Sequence, residues 1–360
     1  MTPLGEEELA GGIRQLIGET EGSDPGPVSL SVVPGGASRE TFGVEAGERR
    51  WVVRRDPVGA PDSFAPLELE FRVVGAAEAA GVRVPRPLAY EPAGGRLESA
   101  GFLMAYVPGI SVAPRVLRRD ELASARSALP AQLGEALARI HSIDGGEIDG
   151  VPASDTDPAL AACALWEATL DEIGEPLPAV EAGLRWLRLN PPPAPVRESL
   201  VHGDFRLGNL IVDEDGLTAV IDWELCHSGD PAEDIGWLCV RSWRFGNDDL
   251  PVAGVGSLGQ LLDAYERAGG ERPEPERIRW WEAMGNVKWA VICARQAHDH
   301  LTGSRFSSEL ASLGRRICEP EWDLLELMPA ASSQGAEGDR WSEPEARTRP
   351  GAAGCEEGRG

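Results

Sequence analysis

The chain is nearly devoid of lysine. Lys288 is the only one in 360 residues; the other long cationic side chains are arginines. Cations are also outnumbered: 34 Lys and Arg stand against 59 Asp and Glu, for a net charge of -25. That balance argues against a nucleic-acid partner, whose binding rests on cationic contacts to phosphate. It mildly favours cationic or neutral small molecules. No run of about twenty apolar residues occurs, so no membrane span is expected. The segment Met1-Thr-Pro-Leu-Gly-Glu-Glu-Glu8 lacks an apolar signal core. Cysteines 163, 226, 239, 293, 318 and 355 show no C-x-x-C pairing. They read as reduced thiols in a cytoplasmic protein. Cys226-His227 with Cys239 has no common zinc spacing. There is no Walker loop and no full Gly-x-Gly-x-x-Gly. No Ser or Cys sits in a nucleophile elbow beside His202 and Asp204, which disfavours hydrolase chemistry.

What is present centres on residues 200–224. Two apolar runs, Leu210-Ile-Val212 and Thr218-Ala-Val-Ile221, flank the polar turn Asp213-Glu-Asp-Gly216 and predict a hairpin. Asp204 and Asn209 precede its first strand, and Asp222 follows its second. Two carboxylates and an amide suit a hard cation such as Mg2+, which takes oxygen ligands and keeps phosphates in its shell. Kinase chemistry uses this set. One Asp orients and deprotonates the attacking hydroxyl; an Asn and a second Asp hold the metal on the nucleotide phosphates. On this reading Asp204 is the base, Asn209 and Asp222 are metal ligands, and Arg206 neutralises charge on the transferred phosphoryl. The competing reading of Arg206 is a structural ion pair with a neighbouring acid.

The wording His202-Gly-Asp-x-x-x-x-Asn209 with Ile221-Asp-Trp-Glu224 resembles the aminoglycoside phosphotransferase family. His227-Ser-Gly-Asp-Pro-Ala-Glu-Asp-Ile-Gly-Trp237 is similar to the branch associated with acyl-CoA dehydrogenases. The resemblance covers about residues 28 to 325. It implies an α+β, protein-kinase-like bilobal fold, with a small antiparallel-sheet lobe and a mainly helical lobe. It implies phosphoryl transfer from ATP or GTP to a small-molecule hydroxyl. The boundaries expected are a helix and linker over 1–27, a nucleotide-binding lobe over 28–107, a catalytic and acceptor lobe over 108–330, and a disordered tail from 331, where composition turns to Ser, Gly, Glu, Arg and Pro.

Local patterns fill in this frame. Residues 8–20 form an amphipathic helix with Leu9, Ile13, Leu16 and Ile17 on one face. Strands follow over 28–33, 41–44 and 51–55. The turn Gly35-Gly36-Ala37-Ser38 is a candidate phosphate cradle, because no Cβ intrudes on its N–H groups. On the third strand the usual kinase lysine is replaced by Arg54 or Arg55. Alternation puts Val52 and Arg54 on one face, so Val52 is assigned to the nucleotide base and Arg54 to its phosphates. Helix 66–81 offers Glu70 as partner for Arg54, with Glu68 as the alternative and Leu67, Phe71 and Val74 as the buried stripe. Met104, Ala105, Tyr106 and Val107 match the inter-lobe hinge that meets the base.

Further helices are expected over 131–143, 159–173, 258–268 and 275–301. His141, at the end of the first, is read as structural. His202 braces the catalytic loop by hydrogen bonds. Asp230 and Pro231 start a helix that aims Asp234 back at that loop. Glu224, Arg295 and His298 are candidate acceptor contacts. Three functions compete: a kinase acting on a hydroxylated metabolite such as a hydroxyacyl thioester, with a functional link to an acyl-CoA dehydrogenase; an aminoglycoside-type antibiotic kinase; and a catalytically weak nucleotide-binding pseudokinase. The intact Asp204, Asn209 and Asp222 set argues against the last.

Overall fold

The computed structural model describes residues 5–33, 39–58 and 66–328. Helix α1 (Glu6–Glu21) precedes strands β1 (Ser29–Val32), β2 (Glu40–Ala46) and β3 (Arg49–Arg55). Helix α2 (Leu67–Ala79) leads to β4 (Pro87–Glu91) and β5 (Gly101–Ala105). These five strands form one antiparallel sheet in the order β1-β2-β3-β5-β4. The β2–β3 turn is Gly47, whose φ of 61° suits a residue without Cβ.

Alternation along β3 buries Trp51 and Val53 on one face of the sheet. There they meet Leu9, Ile13, Leu16 and Ile17 of α1. Burying each such isoleucine or leucine contributes roughly 1.5–3 kcal/mol. Helix α2 lies on the other side. Its buried stripe is Leu67, Leu69, Glu70, Val73, Val74 and Ala77. Phe71, expected in that stripe, is only half-buried, its ring tilted against Tyr90 and edge-on to Phe102. Glu70 takes the inward position because two arginines meet it there.

The rest is mainly helical: α3 (Ala113–Arg118), α4 (Ala123–Ile140), α5 (Pro158–Ile173) and α6 (Pro178–Leu189). Helix α4 starts eight residues before the expected 131. Pro130 reads as a breaker, but the helix runs through it. Pro130 is buried so close to Gly256 that a Cβ on that glycine would lie 2.2 Å from its Cγ, so packing outweighs the local penalty. Strand β6 (Ser199–Val201) then enters the loop of interest. Hairpin β7 (Leu210–Asp213) and β8 (Gly216–Val220) follows, with a bulge between Ile211 and Val212. Strand β9 (His227–Gly229) pairs back with β6. Helices α7 (Ala232–Cys239), α8 (Leu258–Arg267), α9 (Pro275–Thr302), α10 (Ser308–Leu313) and α11 (Cys318–Leu327) complete the body. Helix α9 begins with Pro275 at its first position and ends at Gly303, whose φ of 79° closes it.

The linker after β5 is pinned to the hairpin. Ile110 and Val212 exchange backbone hydrogen bonds of 2.8 and 3.0 Å. A Cβ on Gly109 would lie 2.5 Å from Ile211 and 2.9 Å from the Val212 carbonyl oxygen. The linker that leaves the sheet is therefore fastened to the hairpin. Among the described residues, no helix is long and apolar enough to cross a membrane.

Candidate active site

Strand β6 delivers the loop His202–Asn209 to the hairpin. Gly203 has φ 78°, and a Cβ there would lie 2.2 Å from the Leu225 carbonyl oxygen, so a side chain at this turn would clash. Asp234 on α7 accepts the N–H of Gly203 at 2.9 Å and that of His202 at 2.8 Å. It also accepts from His141 Nε2 at 3.2 Å, while Tyr265 Oη lies 2.9 Å from His141 Nδ1. His202 is fully buried. Its Nδ1 accepts the Asp204 N–H at 3.2 Å, which puts the proton on Nε2, donated to the Ile221 carbonyl at 3.1 Å. Burial lowers its pKa, so the ring is neutral. Asp230 Oδ1 accepts the Ala232 N–H at 2.9 Å at the start of α7, and its Oδ2 accepts from Arg277 Nε and Trp281 Nε1, each at 2.8 Å.

The Asp204 carboxylate is held by three donors. Oδ1 accepts from Trp237 Nε1 at 2.8 Å and Arg206 Nε at 3.0 Å. Oδ2 accepts from Asn209 Nδ2 at 2.6 Å and Arg206 Nε at 3.2 Å. The Arg206 guanidinium also lies 5.0 Å over the Trp243 ring. Arg206 therefore forms an ion pair, and its partner is Asp204 itself. The Asn209 carbonyl accepts the Ile221 N–H at 2.9 Å, which sets Asn209 beside Asp222. Asp222 has φ 69°, a conformation that Asp tolerates better than most residues and that persists where surrounding contacts over-determine it.

Arg54 reaches across from β3. Its Nη2 donates to Asp222 Oδ1 at 2.6 Å and to Glu224 Oε2 at 3.4 Å, and its Nε lies 3.5 Å from Glu70 Oε1. Glu70 is buried and also pairs with Arg39, which bonds Asp56 at 3.1 Å. Burial pushes the Asp222 carboxyl up, but the Arg54 guanidinium outweighs it and holds the pKa below the ordinary range. Arg55 turns to the opposite face, donating to Glu40 at 2.7 Å and the Leu97 carbonyl at 2.9 Å. Glu68 is exposed.

Val52 pairs with Met104 across β3 and β5. The Ala105 N–H donates to the Arg86 carbonyl at 2.9 Å. The Tyr106 ring carries the Arg50 guanidinium 4.0 Å from its centroid, and Val107 follows half-buried. Gly35, Gly36, Ala37 and Ser38 lie outside the described residues, as does the tail expected from 331. The Arg295 guanidinium pairs with Glu172 on α5, and the His298 carbonyl accepts from Thr302 at 2.8 Å. Neither is among the residues that contact Asp204.

Four residues at the site went unassigned in the sequence. Trp237 holds Asp204, Arg39 holds Glu70, and Lys288 with Glu233 sits behind the loop. Trp237 lies three residues beyond Asp234, so both project from one face of α7; that spacing was a usable signal. Nothing local marks Arg39 except its place beside the Gly-rich turn.

Mg2+ fits the donor set. The Asn209 amide nitrogen is engaged by Asp204, which leaves its oxygen as the end for a cation, and Asp222 supplies a hard carboxylate. Among the described residues no group of three His, Cys, Asp or Glu could hold a metal alone. That suits an ion whose remaining ligands are phosphates and water.

A five-stranded antiparallel sheet, a pinned linker and a helical body bearing an Asp–Asn–Asp hairpin define a phosphotransferase of kinase-like bilobal fold. The model of a family described as "Phosphotransferase enzyme family" matches residues 29–281, and the chain belongs to that family. Acyl-CoA dehydrogenase family member 10 of Mus musculus is 28% identical over 357 residues, covering 91% of this chain and 33% of the relative. Acyl-CoA dehydrogenase family member 11 of Gallus gallus is 27% identical over 335 residues, covering 86% of this chain and 42% of the relative. The chain thus spans well under half the length of these relatives. Among solved structures, a protein of Ralstonia eutropha provisionally assigned as an aminoglycoside phosphotransferase matches with TM-score 0.69 and 25% identity, over 90% of this chain and 99% of its own. A mutant aminoglycoside phosphotransferase in ternary complex with ADP and hygromycin B matches with TM-score 0.55 and 19% identity, over 89% and 99%; it shows the fold alone.

Proposed function

We propose that this chain moves the γ-phosphoryl of a magnesium-bound ATP or GTP onto a small-molecule hydroxyl, with a hydroxyacyl thioester or related metabolite as acceptor. One observation carries the reading: a carboxylate oriented by three donors stands beside an amide and a second carboxylate at the two ends of one hairpin. Asp204 aligns the acceptor hydroxyl and takes its proton late, since positioning supplies most of the rate in phosphoryl transfer. Arg206 adds positive charge beside Asp204, where the transferred group arrives. Asn209 and Asp222 would hold Mg2+, which when bound neutralises charge on the nucleotide phosphates. Arg54, steadied by Glu70, stands in for the usual lysine, as a rigid fork rather than a point charge. Val52 and residues 104–107 flank the base. Glu224 lies within the Arg54 group and lines the same cleft.

The acceptor class is supported by Arg206 and by relatives whose names place acyl-CoA chemistry in the same polypeptide. The same names support a functional link to an acyl-CoA dehydrogenase. The test is calorimetric titration of MgATP and MgGTP into wild type, Asp222→Ala and Asp204→Ala, followed by transfer assays with hydroxyacyl thioesters. Magnesium-dependent binding that weakens in Asp222→Ala and survives in Asp204→Ala, with transfer abolished in the latter, is the expected result. Equal binding losses in both variants, or no nucleotide binding by folded wild type, would overturn it.

A further inference from the structure

We propose that Lys288 is a positioning residue for phosphoryl transfer: its ammonium fixes the Gly203–Asp204 peptide from the carbonyl side and sets the aim of Asp204. This rests on Asp204 being the base. Lys288 is the chain's only lysine and is 5% exposed. Lysine is almost never so buried unless paired. Its Nζ donates to the Gly203 carbonyl and lies 3.4 Å from Glu233 Oε1 and 4.6 Å over the Trp237 ring. A carbonyl in front, a carboxylate to one side and an aromatic face suit a compact ammonium with three rotatable donors, where arginine would bring a planar fork.

The peptide that Lys288 grips is the one entering Asp204. A peptide unit is rigid and planar. Its carbonyl end is held by Lys288 and its N–H end by His202 Nδ1 at 3.2 Å. The preceding N–H of Gly203 is held by Asp234 at 2.9 Å. Lys288 also lies on the face of Trp237, the residue whose Nε1 holds Asp204 Oδ1 at 2.8 Å. One ammonium therefore touches both the backbone that enters Asp204 and the indole that orients its carboxylate. Glu233, Asp234 and Trp237 share α7, so these contacts tie α7 and α9 to the loop as a unit. Glu233 is itself held by His227 Nε2 at 3.0 Å, which keeps the counter-ion in place.

The experiment uses the full chain as wild type, Lys288→Met, Lys288→Arg and Asp204→Ala. Phosphoryl transfer to a hydroxybutyryl thioester and to water, both read as ADP formed, is measured beside MgATP affinity. For Lys288→Met we expect kcat to fall about 100-fold with MgATP Kd within about twofold, the signature of lost alignment rather than lost binding. Lys288→Arg keeps the cation but brings a planar fork into a site shaped for an ammonium, so it recovers only part of that loss. Wild-type kcat in Lys288→Met while Asp204→Ala is inactive would overturn the inference and leave Asp204 as the base. Full turnover in Asp204→Ala would overturn both.

If Lys288→Met does not fold, a second measurement decides. Protein labelled with 13Cε-lysine gives one side-chain signal, because the chain has one lysine. The signal should be displaced by the Trp237 ring and should move again in Asp204→Asn. A signal at the position of a solvated lysine, unmoved by Asp204→Asn, would overturn the proposal.

Discussion

Replacing Arg54 with methionine keeps a flexible unbranched stem and removes the guanidinium, with its charge, from three carboxylates. Asp222 lies 2.6 Å away, Glu224 3.4 Å and Glu70 3.5 Å, and Arg54 itself is only 14% exposed. Two unit charges 4 Å apart interact by about 4 kcal/mol at an effective dielectric of 20. Desolvation offsets much of that, and removing one partner of a buried pair typically costs about 3 kcal/mol or more. We expect Arg54→Met to lose about 3 kcal/mol, a fall in Tm on the order of 4 °C for a chain of this size. The loss should depend on pH with a definite sign. In wild type Arg54 holds the Asp222 pKa below its ordinary 3.8, so this stabilisation is present above 3.8 and is lost only as pH falls through the depressed value. In the variant, burial acts without the guanidinium and favours the protonated acid. Its stability should therefore fall as pH rises from 3.8, and the gap to wild type should widen toward neutrality. Mg2+ without nucleotide should stabilise the variant more than wild type, since it binds the folded carboxylates in place of the lost cation. The assay is thermal unfolding from about pH 4 to 8, with and without Mg2+. A gap that does not change with pH, together with no response to Mg2+, would refute the electrostatic account of Arg54.

Two further substitutions probe the loop's supports. Trp237→Phe keeps an aromatic face for Lys288 but deletes the 2.8 Å bond to Asp204. A hydrogen bond to a charged group is worth about 1.5–3 kcal/mol, so phosphoryl transfer should slow at least about 10-fold with MgATP affinity unchanged. A matching loss of MgATP affinity in calorimetry would contradict the assignment. His227 has Leu225 O at 3.0 Å from Nδ1 and Glu233 Oε2 at 3.0 Å from Nε2, two acceptors that call for two N–H donors. Burial lowers its pKa, but Glu233 outweighs burial and raises it above the ordinary 6.5. Its stabilisation is then fully present below pH 6.5 and is lost as pH rises through the raised value. The denaturant midpoint of His227→Gln should approach that of wild type as pH rises above 6.5; a constant difference would count against the charged pair.

How legible the molecule was depended on the range of the interactions involved. The hairpin, the first three strands and helices such as α5, α8 and α9 were readable because period-two and period-3.6 patterns are local, whereas the complete sheet followed only from the family resemblance. Helix α4 begins at Ala123 rather than at the expected 131 and runs through Pro130, whose packing against Gly256 has no local signature. Phe71 was given the inward place that Glu70 holds, since hydrophobicity alone cannot foresee two arginines converging on a carboxylate. Arg54 rather than Arg55 followed from strand alternation, and the pairing of Arg54 with Asp222 did not, because those residues lie 168 positions apart.

By itself the sequence determined the chemistry on offer. The spacing of Asp204, Asn209 and Asp222 around a turn brings hard oxygen donors together through backbone geometry alone, and the scarcity of lysine and excess of acid narrowed the partners. Only the tertiary structure decided how those groups are aimed. Asp234 and Trp237 from α7, Lys288 from α9 some 85 residues beyond Gly203, and Arg54 from β3 converge on one loop. Such convergence is set by the packing of whole elements, which leaves no period or spacing in the chain to read.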